Sequence, residues 1–427
     1  MDFKKKRLLI LGGNPETGSL VSKAQSMGVH TIVVDPNPNA PAKKFANESY
    51  DMDAMDVNGL YALSKNLNLD GVLVGVADIL VPAYQALAEK LDFPCYATDE
   101  IIKTFCFKDG FIDACKNYNI DTIPSYKTDG IPDVDMASNI EYPVMVKPVD
   151  NGGGIGMHVC WNLEELIQNS SIAMQNSKKG QILIERFMSC PDLLAYYTFK
   201  DGKIYLSAIA DRITTKKQGN VSPVCIGAIY PSKYTNQFLG TINPKLVSMF
   251  QDLGVQNGVL NLQFFYENQK FYTYDPGFRL QGEAPHIHIN AVNDFNSQEM
   301  LINFALSGSM SVDDLEHRND YYFKNTYSST LWILLKDGVI TNINGLNTIQ
   351  NNPAIIDIIQ RFALGDEVTP EMVGNERQVF ARIYLNCDSL DELKEKIKFV
   401  NSTLIIEDAD HNNMIIDYLN VDDLKGY

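Results

Sequence analysis

The sequence has no stretch of about 18 uncharged apolar residues, so nothing in it reads as a helix that crosses a bilayer. Residues 4–7 (Lys-Lys-Lys-Arg) precede only four apolar residues before Gly12, far short of the apolar core of a signal peptide. A cytoplasmic protein without a membrane partner is expected. Cysteine is sparse and unordered. Cys95, Cys106, Cys115, Cys160, Cys190, Cys225 and Cys387 are odd in number and lack paired metal-ligand spacing, which predicts reduced, structural thiols. Basic residues are also short, with 36 Lys and Arg against 53 Asp and Glu and a formal charge of -17. That balance excludes a general affinity for nucleic acid or anionic lipid, and any polyanionic ligand needs locally concentrated Lys, Arg or metal. No Ser-His-Asp order, nucleophile elbow or activated-cysteine motif stands out, so covalent catalysis through a side chain is unsupported. Internal repeats, low-complexity segments and long linkers are absent as well.

What is present is an ordinary globular composition, 45% hydrophobic and 21% charged over 427 residues, enough for two or three domains. Residues 1–104 alternate strand-like and helix-like patterns. Leu8 to Leu11, Thr31 to Val34 and Gly71 to Gly75 read as strands; Ser19 to Met27, Val57 to Asn66 and Val81 to Leu91 read as helices. The pattern is that of a parallel α/β domain. Residues 105–324 read as α+β, with a helix at Lys108 to Tyr118 and strands at Gln181 to Glu185, Leu194 to Phe199 and Ile204 to Ala210. Asp201-Gly202 marks a hairpin, and residues 258–275 form a second candidate hairpin with Glu267 to Lys270 at its tip. In residues 325–427, strands are expected at Leu331 to Leu335 and Val339 to Ile343 around Lys336-Asp337-Gly338, at Gln378 to Leu385 and at Ser402 to Ile406. A helix there is capped by Ser389 with Glu392 three residues on.

The segment from Glu141 to Gly156 carries the strongest chemical signal. Val144 and Val146 alternate with Met145 and Lys147, as a strand requires. The chain then breaks into Gly152, Gly153, Gly154 and Gly156, whose backbone N–H groups can close around polyphosphate oxygens. A lysine beside such a loop reads as a nucleotide clamp, although a Gly-rich turn is often only a turn. On the second hairpin, a three-residue loop would set Gln263 directly across from Asp275 on one face, with Cβ atoms about 5 Å apart. That pair suits hard-oxygen ligation of Mg²⁺ shared with phosphate and water, or else a solvent-facing polar ladder. Arg279, four residues past Asp275, could reach a transferring phosphoryl group.

Weaker signals remain. The turn Gly12-Gly13-Asn14-Pro15-Glu16-Thr17-Gly18-Ser19 lacks the lysine of a P-loop and the spacing of a dinucleotide fingerprint. Asp35, at the next strand end, stands where a ribose-binding acid would sit. The simpler reading is a tight strand-to-helix turn lining a substrate cleft. His286 and His288 share a face of any extended segment over 285–290, but two histidines without a third ligand make a poor zinc site. His286 and the nearby Glu283 are substrate-side candidates, with an ordinary surface loop as the alternative. Arg212 and Lys216 could orient an anionic substrate.

Taken in order, these features resemble the ATP-grasp superfamily over nearly the whole chain. Residues 1–104, through Val33-Val34-Asp35-Pro36-Asn37-Pro38-Asn39-Ala40-Pro41-Ala42, are similar to its pre-ATP-grasp domain. The middle region resembles biotin carboxylase and carbamoyl-phosphate synthetase, and the last hundred residues resemble the C-terminal domain of biotin carboxylases and L-amino-acid ligases. The implied fold is a three-domain ATP-grasp architecture of α/β and α+β parts, with an N-terminal parallel α/β pre-ATP-grasp domain. The resemblance implies ATP-phosphate contacts from Lys108, Lys147 and the loop Gly152 to Gly156. It implies an adenine-binding hinge at Glu185, Arg186, Phe187 and Met188, a ribose position at Asp192, metal ligands Gln263 and Asp275, and an active-site arginine at Arg279. Three positions depart from the family pattern: the second acid is Asp275 rather than Glu, the asparagine expected two places on is Gly277, and the first ligand, Gln263, is an amide rather than a carboxylate.

The resemblance implies an ATP- and Mg²⁺-dependent carboxylate-amine ligase, in which phosphoryl transfer turns a poorly electrophilic carboxylate into an acyl phosphate that an amine attacks. Its partners would be the small-molecule carboxylate and amine, with a homodimer left open. A catalytically lapsed nucleotide-binding or regulatory protein is the alternative that Gly277 raises, and a nicotinamide-dependent oxidoreductase is a third.

Overall fold

The computed structural model describes residues 3–128, 130–149, 156–215 and 223–427. Four parallel strands open the chain. Their spatial order is Glu48–Asp51, His30–Asp35, Arg7–Leu11, Gly71–Val74. Every residue from Leu8 to Leu11 and from Val72 to Val74 is buried, the continuous apolar run of a strand covered on both faces. The chain steps away from Arg7–Leu11 on one side, then returns past it to place Gly71–Val74 on the other. This order puts a switch point between those two strands, and open α/β sheets form their crevice beyond the carboxyl ends at such a point. The turn at residues 12–16 and the segment carrying Asp78 follow those two ends. The strand Glu48–Asp51, half exposed and polar, gave no apolar signal in the sequence.

The middle of the chain builds two sheets. The smaller runs Ser125–Tyr126, Ile182–Arg186, Val144–Pro148, His158–Cys160. Its inner face, with Val144, Val146 and Ile184, packs on Leu166 and Ala173 of the helix Leu163–Gln175 as a small separate core. The opposite face is thereby left to Met145, Lys147 and Glu185.

The larger sheet has eight antiparallel strands. Lys270–Gly277, Gly258–Glu267, Asp192–Lys200, Lys203–Thr214 and Cys225–Tyr230 continue without a break into Tyr327–Leu334, Val379–Cys387 and Ile355–Gln360. The Asp201-Gly202 hairpin is present, with both residues at positive φ and Lys200 paired to Lys203. Phe278 locks this sheet to the N-terminal part of the chain: it is fully buried, stacks on Phe105 with centroids 5.8 Å apart, and lies 5.7 Å from Tyr96 and 5.9 Å from Phe199.

Two expectations for the last hundred residues fail in register. The strands about Lys336-Asp337-Gly338 do not pair with each other; Gly338–Val339 pairs with Glu367–Val368, and Asn342–Asn344 pairs with Ile405–Glu407. The strand expected at Ser402 to Ile406 runs instead from Ile405 to Glu407, because the helix Leu390–Thr403 takes in Ser402 and Thr403. Its N-terminus is as expected, with the Ser389 hydroxyl accepting from the Glu392 N–H at 3.2 Å.

Truncating Phe278 to Ala removes a ring from the seam between the two parts. Urea unfolding should show a loss of about 3–5 kcal/mol, the range for large aromatic truncations in a packed core.

Candidate active site

A cavity of about 560 Å³ lies between the small and the large sheet, within the range of small-molecule sites. From the small sheet it receives Met145, Lys147, Glu185 and Arg186, followed by Phe187 and Met188 of the connecting segment; Lys108, at the start of the helix Lys108–Asn117, also lines it. The large sheet contributes Asp192, Arg212, Gln263 and Asp275, together with Phe265 and Tyr274, whose rings stack at 4.6 Å. Residues spread over more than 160 positions thus converge on one space. Lys147 and Glu185 occupy neighbouring strands of the small sheet, both nearly buried, and pair at 2.5 Å. The strand alternation that sends Val144 and Val146 inward sends this lysine into the cavity.

Gln263 and Asp275 are direct partners across the second hairpin, though by a different route from the one expected. The loop has two residues, Asn268 and Gln269, both at positive φ, as in a type I′ turn. That loop alone would oppose Gln263 to Tyr274. A bulge between Gln263 and Phe264 supplies the extra residue and brings Asp275 across instead. The amide and carboxylate oxygens are hard donors on one wall of a cavity that also holds two lysines. They fit Mg²⁺, which takes one or two protein oxygens and fills its shell with phosphate and water.

Of the glycine loop, Gly152, Gly153 and Gly154 lie outside the described residues, as does Lys216. Gly156 is at φ +72, and a Cβ there would come within 2.8 Å of Asn176 and 3.0 Å of Pro148. Gly156 is thus held close against both side chains, next to Met157, which lines the cavity.

Asp192, the implied ribose position, lines the cavity with two partners already on its carboxylate. It accepts from Arg212 at 2.7 Å and from the Tyr274 hydroxyl at 2.9 Å, and Arg212 reaches on to Glu283 at 2.7 Å. Burial pushes the Asp192 carboxyl up to about 6 against the pull of Arg212 and Tyr274. Arg212, expected to orient an anion, is therefore shared between two carboxylates. Arg279 lies next to the cavity, where it pairs with Asp78 of the N-terminal crevice and donates to the Leu280 carbonyl at 3.2 Å. His286 and His288 are neither extended nor on a surface loop: they start the helix His286–Asn293, where residues two apart point to different sides. Both are buried and held neutral, with burial lowering His286 to about 4 and His288 to about 3. His288 bonds Thr330 at 2.8 Å.

The sequence reading missed a second set. Glu16, in the first turn, is buried and bound by Arg382 at 2.5 Å and by Arg361. Burial alone would raise its carboxyl, but the two guanidinia outweigh this and hold it below the usual glutamate range. Arg382 is itself fully buried, donates to the Gly282 carbonyl at 2.7 Å and lies 4.2 Å over the Trp332 ring, which lines the cavity with Glu376. A single arginine inside the apolar run 379–387 was the available signal, since such a charge is buried only with a partner. Asp35 accepts from the N–H groups of Gly13 and Asn37, both at 2.8 Å, so it braces the first turn. The seven thiols are free, and burial raises each above the ordinary cysteine value. No helix among the described residues is long and apolar enough to cross a membrane.

Residues 108–287 match the family model of the carbamoyl-phosphate synthase L chain ATP binding domain, and residues 5–102 match that of the ribonucleotide synthetase preATP-grasp domain. Among curated proteins, the formate-dependent phosphoribosylglycinamide formyltransferase of Prochlorococcus marinus is 28% identical over 194 residues, 44% of this chain and 49% of that protein. The chain thus spans about half the length of the curated relatives it matches. Among solved structures, L-amino acid ligase from Bacillus licheniformis superposes with a TM-score of 0.77 at 16% identity, covering 95% of this chain and 99% of the other. The biotin carboxylase domain of Hydrogenobacter thermophilus 2-oxoglutarate carboxylase, a dimer in complex with MgADP and bicarbonate, gives 0.72 at 17%, covering 94% and 90%.

The raised Asp192 carboxyl sets a pH signature. With a folded value of about 6 against about 3.9 unfolded, folding takes up a proton between those values. This group therefore adds stability as pH falls from 7 to 4. Urea midpoints at the two pH values should differ between the unaltered protein and Asp192→Asn by that increment, which the variant lacks.

Proposed function

We propose, on the premise that the chain belongs to the ATP-grasp superfamily, that it is an ATP-dependent ligase which activates a small carboxylate as an acyl phosphate and couples it to an amine. The observation that carries this reading is the confrontation of Lys147 and Glu185 on one sheet with Gln263 and Asp275 on another across a single cavity. Adenine would lie along Glu185, Arg186, Phe187 and Met188, where a carboxylate, backbone groups and apolar side chains come together. Lys108 and Lys147 would neutralise the phosphates, with Gln263 and Asp275 holding Mg²⁺. The metal supplies Lewis-acid stabilisation of the phosphate charge.

In this mechanism an oxygen of the substrate carboxylate attacks the γ-phosphorus and ADP leaves. The amine nitrogen then attacks the acyl carbon, loses a proton, and phosphate departs. The residues contribute position and preorganised charge rather than covalent chemistry. Arg279 is the group we assign to the transferring phosphoryl and the later oxyanion. Arg212, Glu283 and His286 stand on the substrate side. The crevice between the N-terminal turn and the large sheet, walled by Glu16, Asp78 and Arg382, is where the acid and amine would enter. We place the protein in the cytoplasm, with a homodimer as the assembly to test by light scattering.

A second reading, a protein that binds nucleotide without turnover, is favoured by one fact: Gly277 offers no side-chain oxygen beside Asp275. ADP release should require both an acid and an amine from a mixed library, and Lys147→Ala should lower the rate by at least about 100-fold. ATP binding without ADP release from any acid-amine pair would favour the second reading. Failure to bind ATP at all would sink both.

A further inference from the structure

The eight-stranded sheet has two edges, and they are closed differently. At the Lys270–Gly277 edge another segment covers the strand: the Thr273 N–H donates to the Asp121 carbonyl at 2.9 Å, and Thr122 bridges to Thr273. At the Ile355–Gln360 edge, among the described residues, no other segment bonds to the outer side. Its inner side pairs with Val379–Cys387, and the Arg361 N–H continues that ladder by donating to the Phe380 carbonyl at 2.7 Å. Successive residues of an antiparallel strand turn their N–H and C=O groups alternately to one side and the other. With Arg361, Ile359 and Asp357 turned inward, Ile358 and Gln360 present theirs outward. A bulge between Ile355 and Asp357 precedes this regular stretch. Such an outward row is a template for another chain, and this one is apolar, with Ile356 37% exposed.

The residues from 355 to 359, Ile-Ile-Asp-Ile-Ile, read the same in both directions. A second copy laid antiparallel about Asp357 would therefore set isoleucine against isoleucine on both sides, the self-complementarity that a two-fold contact needs. The central residue stands against it. Asp357 is exposed, no cation is paired with it among the described residues, and its carboxylate accepts from the Ile358 N–H at 2.8 Å. In the register centred on Asp357, two carboxylates would meet on Cα atoms about 4.5 Å apart, and like charges directly opposite destabilise a strand pair. In the neighbouring register, centred on Ile358, the N–H that must donate to the second copy is the one Asp357 already holds.

We propose that Asp357 guards this edge: by its charge, and by occupying the central outward N–H, it keeps the chain from pairing strand to strand with a second copy of itself. The partner that fits the unguarded edge is that second copy, and the product is one sheet continued across a two-fold axis. A homodimer formed by the unaltered protein would use another surface. Nothing in this guard depends on the ATP-dependent reading above.

Sedimentation equilibrium of the full chain over a range of concentrations tests the guard, with amide hydrogen exchange to locate the contact. Asp357→Val removes the charge and the acceptor and favours a strand. Its mass should exceed that of the unaltered protein at equal concentration, and its Ile358 and Gln360 amides should exchange about 10-fold more slowly or less. Adding Ile356→Lys, a charge at an exposed edge position, should return the mass to that of the unaltered protein. An Asp357→Val mass equal to that of the unaltered protein at every concentration overturns the proposal. So does association that persists with Ile356→Lys, or that leaves the two amides exchanging as before, since the contact then lies elsewhere. If Asp357→Val precipitates or does not fold, Asp357→Asn decides, because it keeps the shape and the acceptor and loses only the charge: a mass above that of the unaltered protein supports the guard, and an equal mass overturns it.

Discussion

A guanidinium or ammonium taken out of water costs several kcal/mol unless a carboxylate comes with it, and the cleft of this protein is lined with such groups. Arg382 is fully buried, and its partner Glu16 comes from the first turn of the chain. Arg279 meets Asp78, Arg212 meets Asp192 and Glu283, and Lys147 meets Glu185. Each pairing joins segments that are far apart in sequence or belong to different strands. Matching charge across these seams therefore fixes how the N-terminal crevice, the two middle sheets and the last strands sit against one another. The same pairing sets the state of the cleft before substrate arrives, since several groups suited to binding anions already have carboxylates on them. A ligand that brings its own negative charge must displace or share those carboxylates, and that requirement is a source of selectivity.

Local patterns were legible where one physical rule acted alone. The alternation of Val144, Met145, Val146 and Lys147 told which residues face the small core and which face the cavity. The helix Leu390–Thr403 announced its cap, and Asp201-Gly202 its turn. The opposition of Gln263 and Asp275 was also readable, but through compensating errors: the loop is one residue shorter than supposed, and a bulge restores the register. A bulge has no short-range signature, because it is settled by how both neighbouring strands pack. The strand Glu48–Asp51 was invisible because it is a polar edge held by its parallel neighbour.

Long-range charge partners were not legible. Glu16 and Arg382 are separated by most of the chain, and nothing local ties them together. Arg212 looked like a mobile cation ready for a substrate, and only the fold shows its two carboxylates. His286 and His288 would share a face only of an extended segment, and the surface loop was the alternative; the helix instead buries both, with His288 set against Thr330, Tyr230 and Tyr384. Sequence periodicity reports which face of an element is apolar, while a buried ion's partner is decided after the elements have met.

The unbroken eight-stranded sheet has a consequence for how the protein is made. Its first five strands all precede residue 278, and the strand that covers the open side of Cys225–Tyr230 begins only at Tyr327. Until that strand leaves the ribosome, a row of backbone N–H and C=O groups on a buried, apolar strand has no neighbour, the kind of edge that recruits other chains. About 57 residues, 278–334, lie between the end of the fifth strand and the end of the covering one, and at about 5–20 residues per second they need roughly 3–11 s to be made. Nascent chains would spend that interval as their most aggregation-prone form, so a pause while residues 278–334 are being made should lower the yield of folded protein.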